Sequence, residues 1–161
     1  MYRIFGYIIL TGDWVYWNGH YYNHQGKSAA NSWYSAEGFC QQQGKAVHLA
    51  SIHSREENEF VKSLSSVGEE QWIGLTDHNI ELNSFKWMVN SAYGDFKHWA
   101  EGEPNHATVD EDCGAMKPDG YWIDVACRKQ RREGESWTFE TRAFTCKHLV
   151  RMKLKLGNKY G

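Results

Sequence analysis

No segment of this chain approaches the roughly 20 consecutive apolar residues needed to cross a bilayer. The apolar stretch Ile4 to Leu10 is short and interrupted by Gly6. It is also too short for the core of a secretory leader, and no small-residue cleavage site follows it. The expectation for a secreted form is therefore a leader already removed, with Met1 as an expression start. Proline is scarce, with Pro104 and Pro118 as its two instances, both in the later half. There is no Asn-x-Ser/Thr sequon, no internal repeat and no low-complexity segment. The absence of a Cys-x-x-Cys pair argues against zinc-ribbon and thioredoxin-like readings. No Ser/His/Asp or Cys/His signature supports nucleophilic catalysis, which argues against an enzyme.

What is present fits one domain. The 161 residues are 41% hydrophobic and 24% charged, within the globular range. Eight Trp and nine Tyr supply large buried area, each with a polar group that needs a partner. The net charge of -2 conceals an asymmetry: 17 acidic and 8 basic side chains up to Cys127, then 3 acidic and 10 basic. The acidic excess suits a cation site. The basic run Arg128 to Arg132 and the tail 151–161 read first as solvated surface, with a polyanion as the alternative ligand. No nucleic-acid motif accompanies that charge. Cys40, Cys113, Cys127 and Cys146 form an even set that permits three pairings, which suggests a disulfide framework formed in an oxidising compartment.

Local patterns place the elements. Trp14 to Tyr22 reads as a hairpin, because Asn18-Gly19 suits a type I′ turn between aromatic strands. Ser28 to Gly44 reads as a first helix with Trp33, Ala36 and Cys40 on one face. Ser54, with Glu57 three residues later, reads as a capping box opening a second helix whose buried stripe is Phe60, Val61 and Leu64 and whose stop is Gly68. Gln71 to Leu75, Tyr121 to Cys127 and Arg142 to Val150 are strand candidates. Thr76 to Asp112, rich in Asn, Gly, Ser and acidic residues, reads as a long irregular loop with its own small core. Trp72, Trp87, Trp99 and Trp122 read as core. Helices followed by short strands indicate an α+β class.

Five segments, in order, resemble the C-type lectin-like domain family over roughly Trp14 to Val150. They are Trp72-Ile73-Gly74-Leu75, Glu103-Pro104-Asn105, Glu111-Asp112-Cys113, Trp122-Ile123-Asp124-Val125-Ala126-Cys127 and Phe144-Thr145-Cys146. The resemblance implies a fold of two helices, two small antiparallel sheets, a long ligand-binding loop and two nested disulfides, Cys40–Cys146 and Cys113–Cys127. It implies the short form of the domain at 14–150, with residues 1–13 as an N-terminal extension and 151–161 as a basic C-terminal tail.

The acidic cluster acquires roles through the same resemblance. Glu101, Glu103, Asp110, Glu111, Asp112 and Asp124 lie close in sequence, and calcium favours six to eight oxygen ligands. By resemblance, Glu103, Asn105, Glu111 and Asp124 are the ligands of a principal calcium site that also holds sugar, with Pro104 in a cis peptide. Asp77, Glu81, Glu111 and Asp112 match an auxiliary calcium site, and His106 stands where the family often has an aspartate. The Glu-Pro-Asn order is the mannose, fucose and N-acetylglucosamine type. The chain departs at Ile123, which replaces the asparagine of Trp-Asn-Asp and offers neither a calcium ligand nor an amide donor.

The expected function is therefore calcium-dependent recognition of glycans or glycoproteins by a secreted or extracellular domain, with Ca2+ as the cofactor. The alternative is a protein- or surface-recognition module of the same fold with weak or no sugar binding.

Overall fold

The structure is a computed structural model that describes residues 2–4, 7–9, 13–30, 32–77, 84–89, 91–108, 110–128 and 141–149, with side chains from residue 13 onward. In chain order the strands are β1 Tyr2–Ile4, β2 Tyr7–Ile9, β3 Trp14–Trp17, β4 His20–Gln25, β5 Val47–Leu49, β6 Gln71–Thr76, β7 Lys86–Trp87, β8 Cys113–Met116, β9 Trp122–Val125 and β10 Ala143–His148. The helices are α1 Trp33–Gln42, between β4 and β5, and α2 Arg55–Leu64, between β5 and β6.

The β3–β4 hairpin turns at Asn18 and Gly19, whose φ values are 42° and 89°. A type I′ turn requires this left-handed pair, which asparagine and glycine tolerate best. β10 is the hub of the sheet. It pairs antiparallel with β4 and β5 and parallel with β6 through Ala143↔Gln71 and Phe144↔Trp72. That short parallel contact joins two antiparallel portions, β1-β2-β3-β4-β10 with β5, and β6-β8-β9 with β7. The first portion includes β1 and β2, in the segment expected to be an extension, with Ile8 opposite Tyr16.

The first helix starts later than expected, and the second starts where expected but with a different cap. α1 begins at Trp33, not near Ser28, because the Ser32 hydroxyl accepts the Ser35 N–H while the Ser35 hydroxyl accepts the Ser32 N–H. Trp33 N–H is also donated to the carbonyl of Cys127, a partner no local pattern reveals. α2 does begin after Ser54, whose hydroxyl accepts the Glu57 N–H. The Glu57 carboxylate does not close the box onto Ser54. It accepts the His53 N–H at 2.8 Å, the Tyr22 hydroxyl at 2.7 Å and the Lys147 ammonium at 2.5 Å. α2 ends at Ser65, before Gly68.

β6 is buried along its whole length because both faces are covered. Trp72 joins a cluster with Trp33, Ala36, Cys40, Leu49 and Phe144. Ile73 and Leu75, on the other face, join Tyr22, Ile52, Phe60, Val61, Trp87 and Trp122. Gly74 belongs here for a steric reason: a Cβ on it would lie 2.6 Å from the carbonyl oxygen of Leu49. Both disulfides take the nested pairing, Cys40–Cys146 and Cys113–Cys127. Their sequence separations of 106 and 14 correspond to about 4.7 and 3 kcal/mol of lost unfolded-state entropy. No described helix is long and apolar enough to cross a membrane.

Candidate functional site

Within the long loop, aromatic rings pack beside the short strand β7. Phe85 meets Trp99 with ring centroids 5.0 Å apart, and Trp87 meets Trp122 edge-on at 5.5 Å. Trp122 is fully buried and donates its indole N–H to Asn58 Oδ1 at 2.8 Å. Its backbone extends the sheet outward: Trp122 N–H donates to the His98 carbonyl, and the Ala100 N–H to the Trp122 carbonyl, both at 2.8 Å. β9 is thereby fixed at its first residue, two before Asp124, next to Ala100.

Strand alternation then sorts the side chains. Trp122 and Asp124 are buried, whereas Ile123 and Val125 are half-buried against the cluster that contains Cys113, Cys127 and Trp72. Asp124 therefore presents its carboxylate to the loop, while Ile123 packs on the opposite face. Asp124 Oδ1 accepts the Asn105 N–H at 3.0 Å, and Oδ2 accepts the His106 N–H at 2.8 Å. Glu103 Oε2 accepts the Asp124 N–H at 3.3 Å, and Glu103 Oε1 accepts the Asn105 amide at 2.6 Å. The Glu103–Pro104 peptide is cis. Glu103, Asn105 and Asp124 thus form one hydrogen-bonded group at a solvent-accessible rim, with Asn105 exposed.

The electrostatics of that group follow from crowding two acids. Burial and the Asp124 carboxyl beside it push Glu103 above its ordinary value. Burial also works against ionised Asp124, but its hydrogen bond with Glu103 and the amides of Asn105 and His106 outweigh that and hold it below the usual range.

Three other expected ligands, Asp77, Glu111 and Asp112, are among the described residues. Glu111 Oε2 accepts the Thr108 N–H at 3.2 Å, stapling the loop to itself. Asp112 contributes its carbonyl to the Thr76 hydroxyl and the Asp77 N–H. Asp77 is buried just after β6, with Oδ2 3.9 Å from His106 Nε2. Glu81, the tail 151–161 and Lys129 to Arg132 of the basic run lie outside the described residues. Arg128 stacks its guanidinium over Tyr34 at 4.8 Å.

Calcium fits this donor set in part. All four cysteines are in disulfides, so the chemistry of the rim is that of oxygen donors, which suits a hard cation. Two acids held side by side at the rim, Glu103 and Asp124, suit such a cation. Among the described residues, however, no three His, Cys, Asp or Glu side chains form a preformed metal cluster. Asn105 is the third oxygen-bearing side chain of the rim, and Ile123 adds none.

Comparison with known proteins agrees with this architecture. The family model described as the lectin C-type domain matches residues 29–132. A C-type lectin of the lectoxin kind from Thrasops jacksonii is 36% identical over 123 residues, covering 72% of this chain and 70% of that protein. Several other curated relatives are matched over only 36–38% of their own length. Among solved structures, the cow C-type carbohydrate-recognition domain of CD23, in the presence of GlcNAc2Man3 oligosaccharide, superimposes with a TM-score of 0.72 at 30% identity. That match covers 88% of this chain and 97% of the other. The EPNH mutant of CEL-I superimposes with a TM-score of 0.70 at 25% identity, covering 86% and 95%. With the nested disulfides, the two helices and the loop-borne rim in place, this chain belongs to the C-type lectin domain family.

Proposed function

We propose that the rim formed by Glu103, Asn105 and Asp124 is a calcium-dependent carbohydrate site of the mannose, fucose and N-acetylglucosamine type. The observation that supports this reading best is the hydrogen-bonded arrangement of those three side chains on a loop anchored by Trp122. A bound calcium would give two neighbouring sugar hydroxyls a common electrophilic partner. Glu103 would accept a proton from one hydroxyl and Asn105 would donate to it, so this pair suits the amphoteric character of a hydroxyl group. Water and sugar oxygens would complete a shell that the protein supplies only in part, with Glu111 as a further donor from the loop. The tetrapeptide Glu103-Pro104-Asn105-His106 matches the letters in the name of the CEL-I mutant. The cow neighbour was solved in the presence of a mannose-containing oligosaccharide. In this reading the chain binds rather than catalyses, its partners are glycans or glycoproteins, and it works in an extracellular, oxidising setting. Residues 14–150 would be the recognition domain, flanked by an extension and a basic tail.

Calorimetric titration of mannose and galactose, each with calcium and with chelator, tests the proposal. Binding of mannose in calcium alone is expected, and Glu103→Ala should abolish it. A second reading follows from Ile123, which supplies no oxygen and packs toward the core. If no monosaccharide binds at saturating calcium, recognition of a protein or another surface by the same fold becomes the better reading.

A further inference from the structure

Asn58 lies on the buried face of α2 with Phe60 and Val61, and is itself fully buried. A buried amide needs its hydrogen bonds made, and both of these leave the helix for one distant segment. Oδ1 accepts the Trp122 indole N–H at 2.8 Å, and Nδ2 donates to the Gly120 carbonyl at 3.1 Å. Gly120 is left-handed, with φ 96°, and a Cβ there would lie 3.3 Å from Asn58 Nδ2. The turn before β9 therefore rests directly against the amide. Burial alone does not secure a partner for an indole in this fold. Trp72 and Trp87 are also buried, and their Nε1 atoms have none among the described residues.

From Trp122 the connection runs to both acids of the rim. The Trp122 carbonyl accepts the Ala100 N–H at 2.8 Å, and the Ala100 carbonyl accepts the Glu103 N–H at 3.1 Å. Asp124 stands two residues further along β9. The Trp122 ring meets Trp87, Phe96 and Trp99 edge-on, with centroids 5.5, 5.7 and 6.0 Å apart, contacts that depend on ring angle. We propose that Asn58 is a positioning residue for the rim: by fixing the Trp122 ring and the Gly120 turn, it sets where the Glu103 and Asp124 carboxylates stand relative to each other. It acts from a helix far from the rim in sequence and through Trp122 alone. Its effect on sugar affinity rests on the carbohydrate reading of the rim, whereas its effect on the rim itself does not.

Hydrogen exchange and mannose titration on the whole chain test this role with Asn58→Ala, Trp122→Phe and the double variant. Phenylalanine keeps a ring and removes the N–H, so it reports on the bond even where Asn58→Ala does not fold. In chelator, the Asn105 and His106 amides, which donate to Asp124, should exchange about tenfold faster in each variant, while amides of β4 and β10 keep parental rates. In calcium, at a temperature where every chain is folded, either single variant should bind mannose about fivefold more weakly. The double variant should lose no more than that, because one bond is being removed twice. Parental exchange at Asn105 and His106 in the single variants, protection lost evenly across β4 and β10, or additive losses in the double variant would overturn the role. So would parental mannose affinity alongside faster exchange at the rim. A parent that binds no sugar, with rim amides that respond as expected, supports the positioning role and defeats the carbohydrate reading alone.

Discussion

Asp124 shows how much one side chain can carry. Its two oxygens accept two different amides, from Asn105 and His106, which only a carboxylate does symmetrically. In Asp124→Asn one of those N–H groups faces an NH2 group instead of an acceptor. A buried donor left unmatched costs about 1–3 kcal/mol. The variant should therefore melt lower by about 2–4 °C for each kcal/mol lost, measured in chelator so that calcium plays no part. An unchanged melting temperature would show that Asp124 does not anchor the loop in the ion-free protein.

At the scale of elements, β6 is held so closely between two layers that its one glycine has no room for a methyl group. Gly74 donates its N–H to the Ala50 carbonyl at 3.0 Å and accepts the Met88 N–H at 2.8 Å, so both neighbouring segments are fixed to it. A Cβ would meet the Leu49 carbonyl oxygen, which is backbone and cannot swing aside. Gly74→Ala should cost about 1–3 kcal/mol through overpacking, read as a lower urea midpoint with an unchanged m-value. Tolerance of alanine at no cost would mean that β5 and β6 are less tightly packed than described. The helices add a lesson about motifs. The Ser-x-x-Glu pattern is present at α2, but its carboxylate is drawn off to Tyr22 and Lys147. The reciprocal cap forms at α1 from two serines, a pattern too common in sequences to signal a helix start.

Across the whole molecule, Glu57 and Lys147 link α2 to β10, with side chains 7% and 3% exposed. Lys147 also donates to the Ser51 carbonyl at 2.9 Å. Burial alone would raise Glu57, but the Lys147 ammonium and the Tyr22 and His53 donors outweigh it and hold Glu57 below its ordinary value of 4.5. Because the folded-state value is depressed, the stabilisation is fully present above about pH 4.5 and is lost as pH falls through the folded value. Urea midpoints should drop below that pH, and Lys147→Met should flatten the drop. At neutral pH the same variant should cost about 3–5 kcal/mol, because Glu57 is left buried without its cation. A parental acid profile in Lys147→Met would remove the pair from the account of acid stability.

The sequence by itself determined a good deal. Asn18-Gly19 specifies the hairpin turn because few other residues accept two left-handed positions in succession. The apolar spacing of Trp33, Ala36, Cys40, Phe60 and Val61 marks both helix faces, and the ordered motifs around four cysteines identify the family. Glu103, Asn105 and Asp124 were legible as candidates because their residue types and order are distinctive. β5, β7 and β8 were not, since strands of two to four residues have too few positions to show a period, and their partners lie far away in sequence. Only the tertiary structure decided that Glu57 serves Lys147 rather than its own helix. It also decided that Ile123 faces the core while Asp124 faces the loop. Each of these depends on which distant groups share a low-dielectric interior, where charges and hydrogen-bond donors find partners by proximity in space.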